Sequence, residues 1–184
     1  MVRRYRLSFA ITVVYSLTQA LVATQSGNGN VKGHADLSGY QEIPTLSSPA
    51  TGTLDVQISK DGESLDYTLS YSGLPTNVRF AHIHIGRPAF SGGVMVFLCT
   101  NETPPAGVPI PPACPQGGGT VSGTLSAANV IAVTAQGIAA GEFGEVVQAL
   151  RAEAAYGNVH TTQYGAGEIR GQVLFHRADS INDN

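Results

Sequence analysis

The sequence predicts an all-β fold, a single antiparallel sandwich or barrel with one short embedded helix. Three observations favour this class. The 184-residue chain is rich in turn-forming residues, with Gly 22 and Pro 10, while only 12% of its residues are charged. Several short segments alternate apolar and polar side chains, as half-buried strands do. Turn-forming residues separate these segments, and only one stretch, late in the chain, has a helical period.

Alternation locates the early strands. We expect a first strand over residues 35–40. Residues 51–59 alternate cleanly and residues 65–71 do so again, which predicts two neighbouring antiparallel strands. The Asp61-Gly62 pair between them is typical of a hairpin turn. The chain therefore begins its domain as a β-meander.

A predicted strand over residues 80–86 carries the most informative pattern. Successive side chains on a strand point to opposite faces, so His82 and His84 share one face with Phe80. Two imidazoles at this spacing lie about 7 Å apart at their Cα atoms, close enough for both to hold one metal ion. The opposite face is apolar and is expected to enter the core: Ala81, Ile83 and Ile85.

The middle of the chain continues with strands and the helix. A continuous apolar run over 93–99 predicts a well-buried strand, and residues 120–125 a short one. Within 141–155 four apolar residues recur at helical spacing, which predicts one face of an amphipathic helix. These residues are Phe143, Val146, Val147 and Leu150.

Two further strands are expected to close the domain. In the strand over 156–161 we expect Val159 to point inward, so Asn158 and His160 point outward. The last strand is expected over 168–175. Its inward residues would be Ile169, Gly171, Val173 and Phe175.

Residues 1–23 are typical of a secretory signal peptide, and residues 24–32 of a linker. Three arginines precede a mostly apolar run, and we expect cleavage so that the mature chain starts between about Leu21 and Thr24. An uncleaved membrane anchor is the alternative. The mature protein, with a domain over 33–176 and a polar tail over 177–184, is expected to be secreted or periplasmic and to lack a membrane span.

The net charge bears on the partners of the protein, and the cysteines bear on its crosslinking. The formal net charge is −3, and removal of the basic N-terminus makes it more negative, which argues against a nucleic-acid partner. Cys99 and Cys114 are the only cysteines of the sequence, and export predicts a disulfide between them. Two free buried thiols are the alternative. Asn101 opens an Asn-Glu-Thr pattern that fits an N-glycosylation site.

Three groups of motifs, in order along the chain, resemble the CHRD domain, a family named from chordin. They lie at 37–44, at 81–86 with 94–98, and at 158–161 with 167–173. The similarity covers about residues 33–176. It implies an immunoglobulin-like β-barrel related in fold to copper–zinc superoxide dismutase, and it implies a fold more than an activity.

The likeness to the dismutase has limits. Those enzymes place a His-x-His on an outer barrel face, as His82 and His84 are placed here. They also need further histidines, one of them bridging two metals, and only His34, His160 and His176 remain outside the pair in this chain. A two-metal dismutase centre is therefore not expected.

A single metal site on the outer barrel face is the prediction that remains. If the two strands are neighbours, His82, His84 and His160 converge, and imidazole suits copper and zinc. Metal-bound histidines usually donate their other N–H to a carboxylate or carbonyl, and Asn158 and Glu168 are candidates for this second role. Structural histidines that hydrogen-bond covering loops are the alternative.

The first functional hypothesis is an exported, non-enzymatic CHRD module that binds copper or zinc. A mononuclear copper redox enzyme of dismutase type is the second, and an extracellular protein-interaction module with structural histidines is the third. Because the three histidines are expected outside the core, we expect their replacement to cost the apo fold little. Protons are expected to displace the metal between about pH 7 and pH 5.

Overall fold

The computed structural model describes residues 31–104 and 106–175. The predicted signal peptide, most of the predicted linker, the polar tail and His176 lie outside these residues. In the described part, nine strands belong to one sheet, accompanied by one α-helix. The elements are β1 (Val31–Ser38), β2 (Thr51–Ile58), β3 (Leu65–Ser72), β4 (Val78–Ile85), β5 (Val94–Thr100), β6 (Gly118–Leu125), α1 (Phe143–Arg151), β7 (Ala155–Thr161), β8 (Ile169–Gln172) and β9 (Leu174–Phe175).

The sheet is antiparallel and nearly closed. Eight strands follow the order β5-β4-β7-β8-β1-β2-β3-β6, and β9 pairs with β1 beside this path. The two end strands, β5 and β6, also approach each other, and the Tyr67 hydroxyl of β3 reaches across to the carbonyl of Leu98 in β5 at 2.6 Å. The fold is therefore a nearly closed antiparallel barrel, and the predicted all-β class is confirmed.

The core forms from the inward residues of alternating strands. Leu54, Val56 and Ile58 of β2 face inward beside Leu65 and Leu69 of β3, and all five are buried. The face predicted for the helix packs on the same core, with Phe143, Val146, Val147 and Leu150 buried. Each element thus puts its apolar face into one shared interior.

Several element boundaries differ from the expected ones. Strand β1 begins at Val31 and ends at Ser38, so it takes in the last two residues expected in the linker. Helix α1 is shorter than 141–155, since Gly141 at φ 83° and Glu153 at φ 53° leave the helical region on either side. The last strand is interrupted at Val173, and β8 before it pairs with both β7 and β1, whereas β9 after it pairs with β1.

The two cysteines form the expected disulfide. Cys99, in β5, and Cys114 have an S–S distance of 2.03 Å, and both are buried. Within the loop, both amide hydrogens of Asn101 are used, since its Nδ2 donates to the carbonyls of Val78 and Cys114. A sugar on Asn101 would replace one of these hydrogens, so glycosylation there would cost one of the two bonds.

In residues 31–104 and 106–175, no helix is both long enough and apolar enough to cross a membrane.

Candidate metal centre

Strands β4 and β7 are neighbours, and their register brings three histidines together. Phe80 lies opposite His160, His82 opposite Asn158, and His84 opposite Tyr156. One nitrogen from each of His82, His84 and His160 lies within 4.8 Å of the others. We call these three residues the histidine cluster. Sequence alternation placed them on one face, and the antiparallel pairing of the two strands makes that face shared.

The histidine cluster is buried, although it lies on the face of the sheet opposite the core. His82, His84 and His160 expose only 4%, 7% and 6% of their surface. They do point to the outer face of the barrel, away from the core residues Ala81, Ile83 and Val159. A second layer of aromatic side chains and loops covers that face, so the cluster lies between the sheet and this cover.

Aromatic rings form much of the cover. The ring of His82 lies 4.1 Å from Phe97 and 4.8 Å from Phe80, measured between ring centres. Phe80 is also 4.8 Å from His160. On the other side, the ring of Tyr156 stacks on His84 at 4.8 Å with the two planes 4° apart. The imidazoles therefore have an apolar environment on most sides.

Two loops fix the orientation of two imidazoles. The Nδ1 of His84 lies 3.0 Å from the carbonyl oxygen of Gly92, and the Nδ1 of His160 lies 3.1 Å from that of Gly165. A carbonyl only accepts, so each Nδ1 carries the proton and donates it, which leaves the lone pair on Nε2. Position 92 has no room for a side chain, since a Cβ there would lie 1.5 Å from the carbonyl oxygen of Ile85.

Four buried imidazole nitrogens have no hydrogen-bond partner among the described residues. They are both ring nitrogens of His82 and the Nε2 atoms of His84 and His160. Buried polar atoms without a partner are rare, because each costs about 1–3 kcal/mol in lost solvation. A metal ion that accepted one lone pair from each ring would remove this cost for three of the four nitrogens, and the fourth, on His82, carries the proton of the neutral ring. The donor set therefore fits a metal ion that prefers nitrogen ligands.

Burial lowers the pKa of every histidine of the cluster. Desolvation, aided by the neighbouring His160 and His84, lowers the pKa of His82 to about 2. Desolvation also lowers the pKa of His84 and His160 to about 4, against the opposing effect of their hydrogen bonds to Gly92 and Gly165. The imidazoles are therefore neutral, as metal ligands must be, well below pH 6. The expected proton competition between about pH 7 and pH 5 assumed the ordinary pKa of 6.5, and the pKa values of the three buried rings lie below it.

The two residues predicted to support the ligands have other partners. Asn158 Nδ2 donates to the carboxylate of Glu42 at 2.5 Å and to the carbonyl of Ile169 at 2.9 Å. Glu168 accepts hydrogen bonds from the hydroxyls of Ser48 and Thr161. Among the described residues, the acceptors that support His84 and His160 are instead the backbone carbonyls of Gly92 and Gly165.

Sequence reasoning missed the supporting carbonyls and a cation–aromatic stack. The guanidinium carbon of Arg170 lies 3.4 Å from the ring centre of Tyr156, which itself stacks on His84. The same guanidinium donates to the carbonyls of Arg87 and Phe90. Alternation along 156–161 could have placed Tyr156 on the outward face. Nothing in the sequence marks which loop carbonyl a histidine will meet.

Among the described residues, Arg170 and Glu168 form no ion pair with each other. Burial raises the pKa of the nearby Glu42 carboxyl, with its bond to Asn158 and the charge of Arg170 acting in the opposite direction. Arg170 is thus held mainly by backbone carbonyls and an aromatic ring.

Comparison with known families identifies the domain. Residues 34–173 match the family model described as CHRD domain. Since this match covers well over half of the chain, the protein belongs to the CHRD family. Neither a search of curated proteins nor a search of solved structures found a match. The relation in fold to copper–zinc superoxide dismutase accordingly stays an expectation.

Proposed function

We propose that this CHRD-domain protein works outside the cytoplasm and binds one copper or zinc ion per chain through His82, His84 and His160. Two observations carry the proposal: one nitrogen of each histidine lies within 4.8 Å of the others, and each ring has a buried nitrogen without a partner among the described residues. Three neutral imidazoles in this arrangement suit either ion. The bound ion would supply a positive charge that satisfies the three lone pairs.

The chain's own residues prepare the site for such an ion. The carbonyls of Gly92 and Gly165 hold the Nδ1–H groups of two histidines, which leaves the lone pair of each Nε2 available to an ion. Burial keeps all three rings neutral at neutral pH. The aromatic cover excludes water from the nitrogens. The ligand distances need to shorten, because zinc–nitrogen bonds of about 2.0–2.1 Å place neighbouring nitrogens closer than 4.8 Å.

Binding is a better proposal than turnover. A catalytic metal keeps an open position for water or substrate, and here the ligand atoms are shielded from solvent. Histidines with a purely structural role would be expected to use both ring nitrogens in hydrogen bonds, which none of the three does among the described residues. Action outside the cytoplasm is supported by the disulfide.

Metal analysis of untagged protein is the experiment that tests the proposal. Elemental analysis after dialysis should find one copper or zinc ion per chain, and calorimetric titration of chelator-treated protein should give one site. Single replacements of each histidine by Leu, which is similar in volume, should weaken binding by at least about 100-fold. Leu is preferable to Ala because the site is buried and Ala would leave a cavity.

His34→Leu is the matched control. His34 lies on β1, is partly exposed and hydrogen-bonds Asp55, so its loss should leave metal affinity unchanged. The proposal is wrong if folded wild-type protein binds neither ion, or if the triple Leu variant of the histidine cluster binds metal as tightly as the wild type.

A further inference from the structure

We propose that the histidine cluster holds copper as Cu(I) in preference to Cu(II) or Zn(II). The inference rests on the proposed function, because it requires that the cluster bind a metal ion. Three properties of the site support it: the number of ligands, the burial of the ligand atoms and the sign of the neighbouring charges.

The number of ligands favours a monovalent ion. In the described part of the chain, the group suited to a metal consists of three imidazoles, with no carboxylate or thiolate among them. Structural zinc is almost always four-coordinate, and Cu(II) prefers a tetragonal arrangement. A fourth ligand would have to be water, yet the nitrogens are already shielded from solvent. Cu(I) has a filled d shell and accepts three ligands without a further one.

Burial of the ligand atoms also discriminates between ions of different charge. The cost of moving an ion from water into a low-dielectric interior grows with the square of its charge, so a divalent ion pays about four times the penalty of a monovalent ion of equal size. The rings of Phe80, Phe97 and Tyr156 provide such an interior around the cluster. Neutral imidazoles do not offset the charge of a divalent ion.

A buried cation next to the cluster adds to this discrimination. Arg170 is 3% exposed, and its guanidinium carbon lies 3.4 Å from the ring centre of Tyr156. The ring of Tyr156 in turn lies 4.8 Å from His84. One aromatic ring therefore separates a fixed positive charge from a ligand, and the repulsion of a divalent ion is twice that of a monovalent one.

A second cation lies on the opposite side. The guanidinium carbon of Arg79 is 4.9 Å from the ring centre of Phe80, which contacts both His82 and His160. Arg79 is paired with Glu102 at 2.6 Å and is partly exposed, so its field is weaker than that of Arg170. Both cations nevertheless act in the same direction.

The buried carboxylates nearby do not belong to the group of possible ligand atoms, although the charge of Glu42 acts on Arg170. Glu42 accepts a hydrogen bond from Asn158, and Glu168 accepts hydrogen bonds from Ser48 and Thr161. Neither belongs to the group of side chains that converge on one point. The side chains that would contact the ion therefore carry no negative charge.

Competition titrations of the full chain measure the preference. Untagged, metal-free protein receives copper under anaerobic conditions with ascorbate, which donates the electron that reduces Cu(II) to Cu(I), and bicinchoninate competes for Cu(I). Cu(II) and Zn(II) are titrated separately without a reductant. We expect a Kd for Cu(I) at least about 100-fold below that for Cu(II), equivalent to a copper reduction potential raised by about 120 mV over the aqueous couple.

Charge variants test the cause of the preference. Arg170→Gln should lower the ratio of Cu(I) to Cu(II) affinity by about tenfold, while Arg170→Lys, which keeps the charge, should lower it less. Arg79→Gln, at a partly exposed position, should lower the ratio about threefold. This variant tests the effect of the cations if Arg170→Gln does not fold. Arg151→Gln, an equal charge change at an exposed position of α1, should leave the ratio unchanged.

The outcomes separate this inference from the proposed function. If Cu(II) or Zn(II) binds as tightly as Cu(I), the inference is wrong while the metal-binding proposal stands. If none of the three ions binds folded protein, both are wrong. If Arg79→Gln and a folded Arg170→Gln both leave the ratio at its wild-type value, the assigned role of the cations is overturned.

Discussion

Strands β3 and β7 have the same alternating pattern but differ in what covers their outer faces. On β3, the outward residues Asp66, Thr68 and Ser72 are exposed. On β7, all seven residues are buried, including the outward Tyr156 and His160. The inward faces are alike, since both enter the same core. The difference arises above the sheet, where loops and rings cover β7 and leave β3 to solvent.

This difference decides what an outward polar side chain must do. On β3 it is hydrated, and it needs no partner from the protein. On β7 every outward polar atom has lost water and must find a protein partner. Asn158 finds two, whereas His160 uses one nitrogen and leaves the other without a partner among the described residues. Polar atoms that lack hydrogen-bond partners on a covered face therefore indicate a ligand site. On an exposed face such atoms would be hydrated and would indicate nothing.

The largest expected contrast between the two faces is their response to acid. The folded pKa values of the histidine cluster, about 2 to 4, lie below the ordinary value of 6.5, so the unfolded chain binds more protons. Stability of the metal-free protein is therefore full above about pH 7 and falls as pH drops through 6.5 toward 4. Each histidine contributes about 2 kcal/mol of this loss by pH 5. Urea unfolding of chelator-treated protein from pH 8 to pH 5 measures the change.

Two variants separate the buried histidines from other titrating groups. His82→Leu should make the loss between pH 8 and pH 5 smaller by about 2 kcal/mol. His34→Leu should not, because hydrogen bonds to Asp55 raise the pKa of this exposed residue and its effect has the opposite sign. A wild-type unfolding free energy that stays constant over this range would contradict the assigned burial.

The next effect contrasts an inward position on β4 with an outward position on β3. Ile83→Ala removes a fully buried side chain from β4 and should cost about 2–5 kcal/mol, because it leaves a cavity in the core. Thr68→Ala, on the exposed face of β3, should change stability by no more than about 0.5 kcal/mol. Equal losses in thermal unfolding of the two variants would refute the described difference between inward and outward positions.

The next prediction concerns the contribution of the Cys99–Cys114 disulfide to the stability of the fold. Replacing both Cys99 and Cys114 with Ala should cost about 3 kcal/mol, because the crosslink closes a loop with a sequence separation of 15. Unfolding of the wild type in a reducing agent should show a similar loss, while the double variant should be insensitive to the agent. A wild type that is equally stable in oxidising and reducing buffer would argue against this contribution.

The smallest expected effect gives the sharpest comparison, because it uses neighbouring residues of one strand. At pH 8 and without metal, His82→Leu should change stability by no more than about 1 kcal/mol, since the loss of aromatic contacts is offset by removal of two unpartnered nitrogens. Ile83, the next residue, should be far more sensitive. A loss of the same size at both positions would mean that His82 has a structural role that its contacts do not show.

Local patterns in the chain were enough to locate most of the elements and the members of the histidine cluster. The alternation over 51–59 and 65–71 corresponds closely to β2 and β3, and the helical period correctly identifies the buried face of α1. Alternation is a property of consecutive residues, so it also placed His82 and His84 on one face. Alternation over 156–161 likewise placed His160 on the outward face of a second strand.

The cover over these histidines follows from contacts between residues far apart in the chain. Phe97 belongs to another strand than His82, and Gly92 and Gly165 lie in loops whose path no local pattern specifies. The low pKa values, the identity of the supporting carbonyls and the position of Arg170 behind Tyr156 all depend on that cover. Strand period assigns a side chain to a face, while solvent exclusion depends on what the rest of the chain places above that face.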